Sequence, residues 1–384
     1  MKKVQSAISL PLAMCLLFLS SAASCHKPLH QKWAESQPAT SSVEYIKPVD
    51  ANWKNSLFFL EGQLCAWVRG ILEDQAGNLW FTTNHYGVMR WDGDSLVYFD
   101  EKDGLGGGRV SGIVEDQRGH IWIGTAEGLC EFDGDTMKLY ADQEGLVDNE
   151  IWTLALDQDG LIWIGTMEGV STLDPETKRF KIFALPEVAV RDTSSILSYY
   201  RITSILEDRQ GRIWIGRDGF GLLCYDPSKQ GEAAFTNFTE ADGLPDDNVA
   251  DLLEDQAGHI WIGSMYGGMS RYEPAKASRG EMPFTNFTQS GVIKGEEAYG
   301  LYEDKKGHIW FAAEHQGIYR YEPEQDSFTR FSKAEGLPSE GILAMLEDQQ
   351  GRFWLGGWGG LFRYRAERLD TTAFVSVTKA GPWE

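Results

Sequence analysis

Apolar residues in this chain come in short runs broken by tight polar turns, never in the long 3.6-residue stripes of helices. One unit shows the pattern. An apolar strand such as Val110-Ser-Gly-Ile113-Val leads into Glu-Asp-x-x-Gly, where Asp can accept from turn amides and Gly tolerates a positive φ. Then comes Ile121-Trp-Ile-Gly, a continuous apolar run of the kind expected when both strand faces are buried. A Gly-containing loop precedes a third strand such as Gly317-Ile-Tyr-Arg-Tyr321. A polar turn such as Asp174-Pro175 then precedes a fourth strand such as Phe235-Thr-Asn-Phe238. Many units pass to the next through Gly-Leu, as at Gly104-Leu105, Gly145-Leu146, Gly243-Leu244 and Gly336-Leu337.

The unit occurs seven times, marked by Trp80, Trp122, Trp163, Trp214, Trp261, Trp310 and Trp354. A spacing of 40 to 50 residues with four short strands per unit predicts an all-β fold, a seven-bladed β-propeller with four antiparallel strands per blade. One blade cannot bury both of its faces, but stacked blades can, and closing the ring removes the open ends. The repeated Trp is therefore read as packing between blades and not as a ligand site. By position, Ala373–Thr378 supplies the fourth strand of the last blade, and Leu57–Leu60 is left as an extra edge or a cover for the bottom.

The stretch Leu244–Gly263 (Leu-Pro-Asp-Asp-Asn-Val-Ala-Asp-Leu-Leu-Glu-Asp-Gln-Ala-Gly-His-Ile-Trp-Ile-Gly) resembles the two-component regulator propeller repeat. The resemblance runs over roughly residues 62 to 384, in all seven copies. It implies the periplasmic sensor half of bacterial hybrid histidine kinases. No kinase, receiver or DNA-binding segment follows the last repeat, so the expectation is a sensor architecture without its transmitter.

Residues 1–24 begin with Lys2-Lys3, continue through an apolar core and end in small residues, as a secretory signal does. Cys25 after Ala22-Ala23-Ser24 resembles a lipoprotein cleavage box and is the candidate lipidation site, although Ala22 departs from the usual larger aliphatic residue. Ordinary signal-peptidase cleavage is the alternative. Residues 25–54 read as a lipid-anchored tether and 55–384 as the propeller. No other stretch reaches the ~18 apolar residues of a membrane-spanning helix, so membrane association would be through the lipid anchor only. The predicted location is the periplasm or cell surface of a bacterium.

The formal net charge is −22, and loss of the leader with its two lysines makes the mature chain more negative still. That excludes nucleic acid and anionic lipid surfaces as partners. Cys65, Cys130 and Cys224 are read as buried small hydrophobes, with Cys130 and Cys224 on third strands too far apart to pair. No metal spacing occurs, so no cofactor or metal is expected. Asp92-Gly-Asp94 and Asp133-Gly-Asp135 lack the rest of a calcium loop and read as turns. His120, His259 and His308 share one repeat position and are structural.

In a propeller, the loops joining strands two and three share one face with the links between blades. Here those positions vary from repeat to repeat while the scaffold does not. They supply the candidate ligand-binding residues Trp67, Tyr86, Arg109, Glu127, Trp152, Glu168, Tyr200, Arg217, Tyr266, Tyr299, His315 and Trp358. Aromatics, acids and arginines together suit stacking on a sugar or aromatic ligand with hydrogen bonds at its rim. The competing reading is solvated loop decoration around a narrowed channel. Catalysis would fall to the weak candidates His85 and His315 with a nearby Glu.

Three functions follow. The first is a non-enzymatic binding or sensor propeller for an oligosaccharide or other small ligand, or for a membrane sensor or transport protein. The second is a propeller enzyme, similar to the streptogramin lyases or acting on polysaccharides. The third is a protein–protein scaffold.

Overall fold

The computed structural model describes residues 64–187, 200–368 and 372–383. The leader, Cys25, the tether and Leu57–Leu60 lie outside these residues.

Seven four-stranded antiparallel meanders follow one another along the chain. They are β1–β4 (Val68–Glu73, Leu79–Thr83, Val88–Trp91, Leu96–Phe99) and β5–β8 (Val110–Glu115, Ile121–Thr125, Leu129–Phe132, Met137–Tyr140). Next come β9–β12 (Ile151–Leu156, Ile162–Thr166, Val170–Asp174, Arg179–Phe183) and β13–β16 (Ile202–Glu207, Ile213–Arg217, Leu222–Tyr225, Phe235–Phe238). The remaining three are β17–β20 (Val249–Glu254, Ile260–Ser264, Met269–Tyr272, Phe284–Asn286), β21–β24 (Ala298–Glu303, Ile309–Ala313, Gly317–Glu322, Ser327–Phe331) and β25–β28 (Ile342–Glu347, Phe353–Gly357, Gly360–Tyr364, Phe374–Val377). The first strand of each blade packs on the first strand of the next, and β25 packs on β1. The protein is a closed seven-bladed β-propeller with these strands innermost. β28 pairs with β27, so the C-terminal segment completes blade seven as its position predicts.

Every second strand is buried along its whole length, in keeping with its unbroken apolar run. The repeated Asp does two jobs. One oxygen accepts the amide four residues on, as Asp208 does from Arg212 at 3.0 Å. The other accepts the indole N–H six residues on, at 2.7–3.0 Å in all seven blades (Asp74–Trp80 through Asp348–Trp354). A buried indole donor needs such a partner, so the acidic turn and the packing Trp are one device. An aromatic near the outer strand covers each Trp, from Phe99 on Trp80 to Phe331 on Trp310. Blade seven has Val377 at that register, and Trp383 takes the place instead, 6.1 Å from Trp354 and stacked on Trp91 of blade one at 4.3 Å.

The Glu of the Glu-Asp turn clamps neighbouring blades. Glu115 accepts the Gln75 amide at 2.8 Å, and Glu73 closes the ring by accepting from Gln349 at 2.7 Å. Six of the seven junctions carry this bond. At the junction of blades two and three Leu156 stands where the Glu would be. Three of the four Gly-Leu links are single 3₁₀ turns ending on a left-handed glycine, with Leu105, Leu244 and Leu337 inserted into the core.

Blade six departs from the pattern. Gly300 adopts φ +66° inside β21, widening the bulge there, and half-buried Asp251 of blade five accepts the amide of Leu301 at 2.9 Å. Cys65, Cys130 and Cys224 are buried free thiols, pushed up to about 12, 11 and 11 mainly by burial.

Candidate functional site

The face carrying the loops between second and third strands is framed by one hydrogen bond repeated in every blade. The residue just after the second strand donates its N–H to the carbonyl just before the first. The pairs are Asn84–Trp67, Ala126–Arg109, Met167–Glu150, Asp218–Arg201, Met265–Asn248, Glu314–Glu297 and Trp358–Gly341, at 2.8–3.3 Å. Beside each pair the first strand is bulged or irregular, and in blade three the extra residue is Trp152. The backbone is thus sevenfold while the side chains it presents are not.

Blades two to four bring together three of these residues. The guanidinium groups of Arg109 and Arg201 lie 4.5 and 4.8 Å from the Trp152 ring centroid. Arg109 pairs with Glu150 at 2.8 Å and Arg201 with Asp218 at 2.9 Å. Burial, outweighing Glu150 and aided by Arg201, lowers the Arg109 guanidinium below its ordinary range. Trp152 is accordingly spoken for by arginines, and its indole N–H is buried without an acceptor. It is less open to a sugar than its sequence position suggests. Arg217 does not join this group. It bonds the Phe220 carbonyl and Asn237 Oδ1 of its own blade, and burial alone lowers it to about 10.

At the seam of blades seven and one, Trp67 and Trp358 form a backbone bridge with ring centroids 6.4 Å apart. Gly341 makes this possible, since a Cβ there would meet the Trp358 ring at 2.2 Å. Tyr86 packs against the core cluster of blade one, and its amide donates to Thr83. Glu127 and Glu168 sit at loop tips, their amides donating to Thr125 and Thr166. Tyr200 and Tyr266 are the most exposed aromatics of this face, at 58% and 54%.

Blade six holds the titrating group. Glu297 and Glu314, joined by their backbone bond, also bring their carboxyl groups together. Burial first, then the charge of Glu314 and a hydrogen bond to it, raises Glu297 to about 7. His315 Nε2 lies 3.5 Å from Glu314 Oε1. His85 and His315 both have left-handed backbone, φ +80° and +56°, at the loop position where Gly219 and Gly359 have it in blades four and seven. Blade seven separates the two histidines, and no contact joins them among the described residues. His259 and His308 each bond the Asp four residues before, and His120 bonds Glu131, as structural residues do. No group of three or more potential metal ligands occurs among the described residues. The Glu297–Glu314 pair had no signal in the sequence beyond two acids in aligned loops.

The family model described as "Two component regulator propeller" matches residues 62–85, 104–127, 145–168, 196–216, 243–266 and 336–359. These are the segments running into the second strand of six blades, and the irregular sixth blade is the one left out. The chain belongs to the two-component regulator propeller repeat family. Similar solved structures include the extracellular domain of a one-component system from B. thetaiotaomicron (21% identity, 78% of this chain and 40% of that chain, TM-score 0.56). Others are PorZ, a surface component of the type-IX secretion system of Porphyromonas gingivalis (17%, 79% and 47%, TM-score 0.62), and a streptogramin B lyase (13%, 79% and 94%, TM-score 0.61). At these identities the likeness concerns the fold. The chain spans 40 to 48% of the length of the two extracellular domains from B. thetaiotaomicron. No curated protein sequence matches the chain.

Proposed function

We propose that the protein is a non-enzymatic, exported binding or sensor propeller that presents the rim framed by the seven backbone bonds to a small ligand or a sensor partner outside the cytoplasm. The observation that carries this reading is the contrast on the rim. A bond kept in all seven blades holds side chains as different as the Trp67–Trp358 pair, the Arg109–Trp152–Arg201 group and the Glu297–Glu314 pair. Such asymmetry on a symmetric frame suits recognition of one asymmetric ligand. A carbohydrate is the ligand class that exposed tyrosines with acids and arginines favour. The family's occurrence in sensor proteins, and the extracellular domains that share the fold, support the location. So does the leader at residues 1–24, with Cys25 as anchor. No helix among the described residues is long and apolar enough to cross a membrane.

The test is thermal-shift and calorimetric titration of the full chain with an oligosaccharide panel, alongside Tyr266→Ala/Trp358→Ala. A ligand that stabilises the wild type and not the variant supports the reading. A folded protein indifferent to the whole panel removes the carbohydrate.

One observation favours an enzyme as the second reading. Glu297, raised to about 7 beside Glu314 and His315, could move a proton near neutrality. Turnover of a bound ligand lost in Glu297→Gln would establish it, and binding without turnover would dismiss it.

A further inference from the structure

On the face opposite the rim, blades one and two flank an open cavity of about 480 Å3, lined by Asp74, Trp80 and Arg90 on one side and Glu115, Arg118 and Phe132 on the other. Arg90 is the unusual member. In four blades an arginine on the third strand lies across from the repeated Trp: Arg90, Arg271, Arg320 and Arg363. Three of them have acceptors. Arg271 donates to Glu273 and to the Tyr321 hydroxyl of the next blade, both at 3.3 Å. Arg320 donates to Glu322, and Arg363 to the Trp383 carbonyl at 3.3 Å. Arg90 has none among the described residues. It lies over three rings, 5.7 Å from Trp80 and Phe99 and 5.9 Å from Phe132; its Nε is buried without a partner, as are those of Arg271 and Arg363, so what sets it apart is that its terminal nitrogens donate to no acceptor among the described residues either.

Two sequence differences explain this. Asp92 stands where Glu273 and Glu322 do, but its shorter carboxylate is taken by the amides of Asp94 and Ser95 and by the Ser95 hydroxyl. Phe132 stands where Tyr321 does and has no hydroxyl to offer. The acids lining the cavity are also engaged, Asp74 with Trp80 and Asn78, and Glu115 with the Gln75 amide. Asp74 and Glu115 balance Arg90 and Arg118, so the cavity has no excess of either charge. It favours a neutral acceptor over an anion.

The neighbouring groove shows such an acceptor in place. Between blades seven and one, the Trp383 carbonyl accepts from both Arg352 and Arg363, at 3.0 and 3.3 Å, with the Trp383 ring stacked on Trp91. Trp354, Arg363 and Trp91 are there what Trp80, Arg90 and Phe132 are between blades one and two, where Phe99 already fills the place of the Trp383 ring and Asn78 stands where Arg352 does, so that the carbonyl is the part without a counterpart. We propose that the cavity between blades one and two is a docking site for an extended peptide segment of a partner protein, whose backbone carbonyl caps Arg90 as the Trp383 carbonyl caps Arg363. The site is independent of the rim and of any ligand bound there.

The test titrates the full chain by calorimetry with acetyl-Ala-Gly-Pro-Ala-amide, an uncharged copy of residues 380–383 with the Trp ring trimmed because Phe99 fills its place. Saturable binding is expected, weakened at least about tenfold in Arg90→Met, which keeps the apolar stem and loses the donors. Phe132→Tyr gives Arg90 an acceptor within the protein and should block the peptide while leaving the melting temperature at or above that of the wild type. Absence of saturation in the millimolar range, or equal binding by wild type and both folded variants, overturns the proposal.

Discussion

The Gln349 amide donates to the Glu73 carboxylate at 2.7 Å, joining residues 276 positions apart in the sequence and fastening blade seven to blade one. The same bond recurs at five other junctions and is missing where Leu156 replaces the Glu. Hydrogen exchange should therefore find the Gln117 amide, which faces Leu156, less protected than its counterparts Gln75, Gln158, Arg209, Gln256, Lys305 and Gln349. Equal protection at all seven would show that the clamp is incidental. Glu73→Ala should cost about 1 kcal/mol, seen first as faster exchange along the seam of blades seven and one.

Asp208 anchors both an amide and the Trp214 indole in a fully buried setting. Asp208→Ala leaves donors unsatisfied and should lower stability by about 2–3 kcal/mol in denaturant titration. Trp214→Ala should cost roughly 3–5 kcal/mol through the lost packing. An Asp208→Ala protein as stable as the wild type would mean that water replaces the carboxylate.

The two arginines over Trp152 should behave differently. Arg201→Ala would take the cation away from the buried Asp218 carboxylate, 4% exposed, at a cost of about 3–5 kcal/mol. Glu150, 39% exposed, can be hydrated when Arg109 is removed, so Arg109→Ala should cost below about 1 kcal/mol in that interaction. Comparable losses in the two variants would refute this assignment of burial to energy.

Glu297 makes stability depend on pH in a definite direction. Its folded value, about 7, lies above the ordinary 4.5, so the folded protein holds that proton more tightly than the unfolded chain. The contribution is complete below about 4.5 and is lost as pH rises through 7. Melting temperatures of wild type and Glu297→Gln should converge in mild acid. The wild type should fall below the variant above neutrality, and parallel curves across that window would contradict the shift.

Much of the fold was legible because seven environments impose the same demands. The Glu-Asp turn, the buried Ile-Trp-Ile run and the Gly-Leu link announce themselves by repetition, and the C-terminal Phe374 strand could be placed by register alone. What the pattern hid was the pairing of Asp with the indole six residues later, since spacing gives proximity but no direction. The rim was harder still. Aligning loops placed Arg109, Trp152, Tyr266 and Trp358 at the loops and links between blades. It could not say that Trp152 faces two guanidinium groups or that Arg217 turns back on its own blade. Those outcomes depend on χ angles and on neighbours 40 to 50 residues away. Arg90 was invisible for the same reason, because its singularity is an acceptor that Phe132 lacks.

Among the described residues, every blade takes its four strands from one uninterrupted stretch of chain, and Trp383 supplies the ring that Val377 cannot. No strand is lent across the seam. A coding unit of 40 to 50 residues could thus be duplicated or deleted anywhere in the circle without stranding half a sheet. The burden of refitting would fall on curvature and on a few terminal residues, so ring size in such proteins is free to drift during evolution in single whole-blade steps.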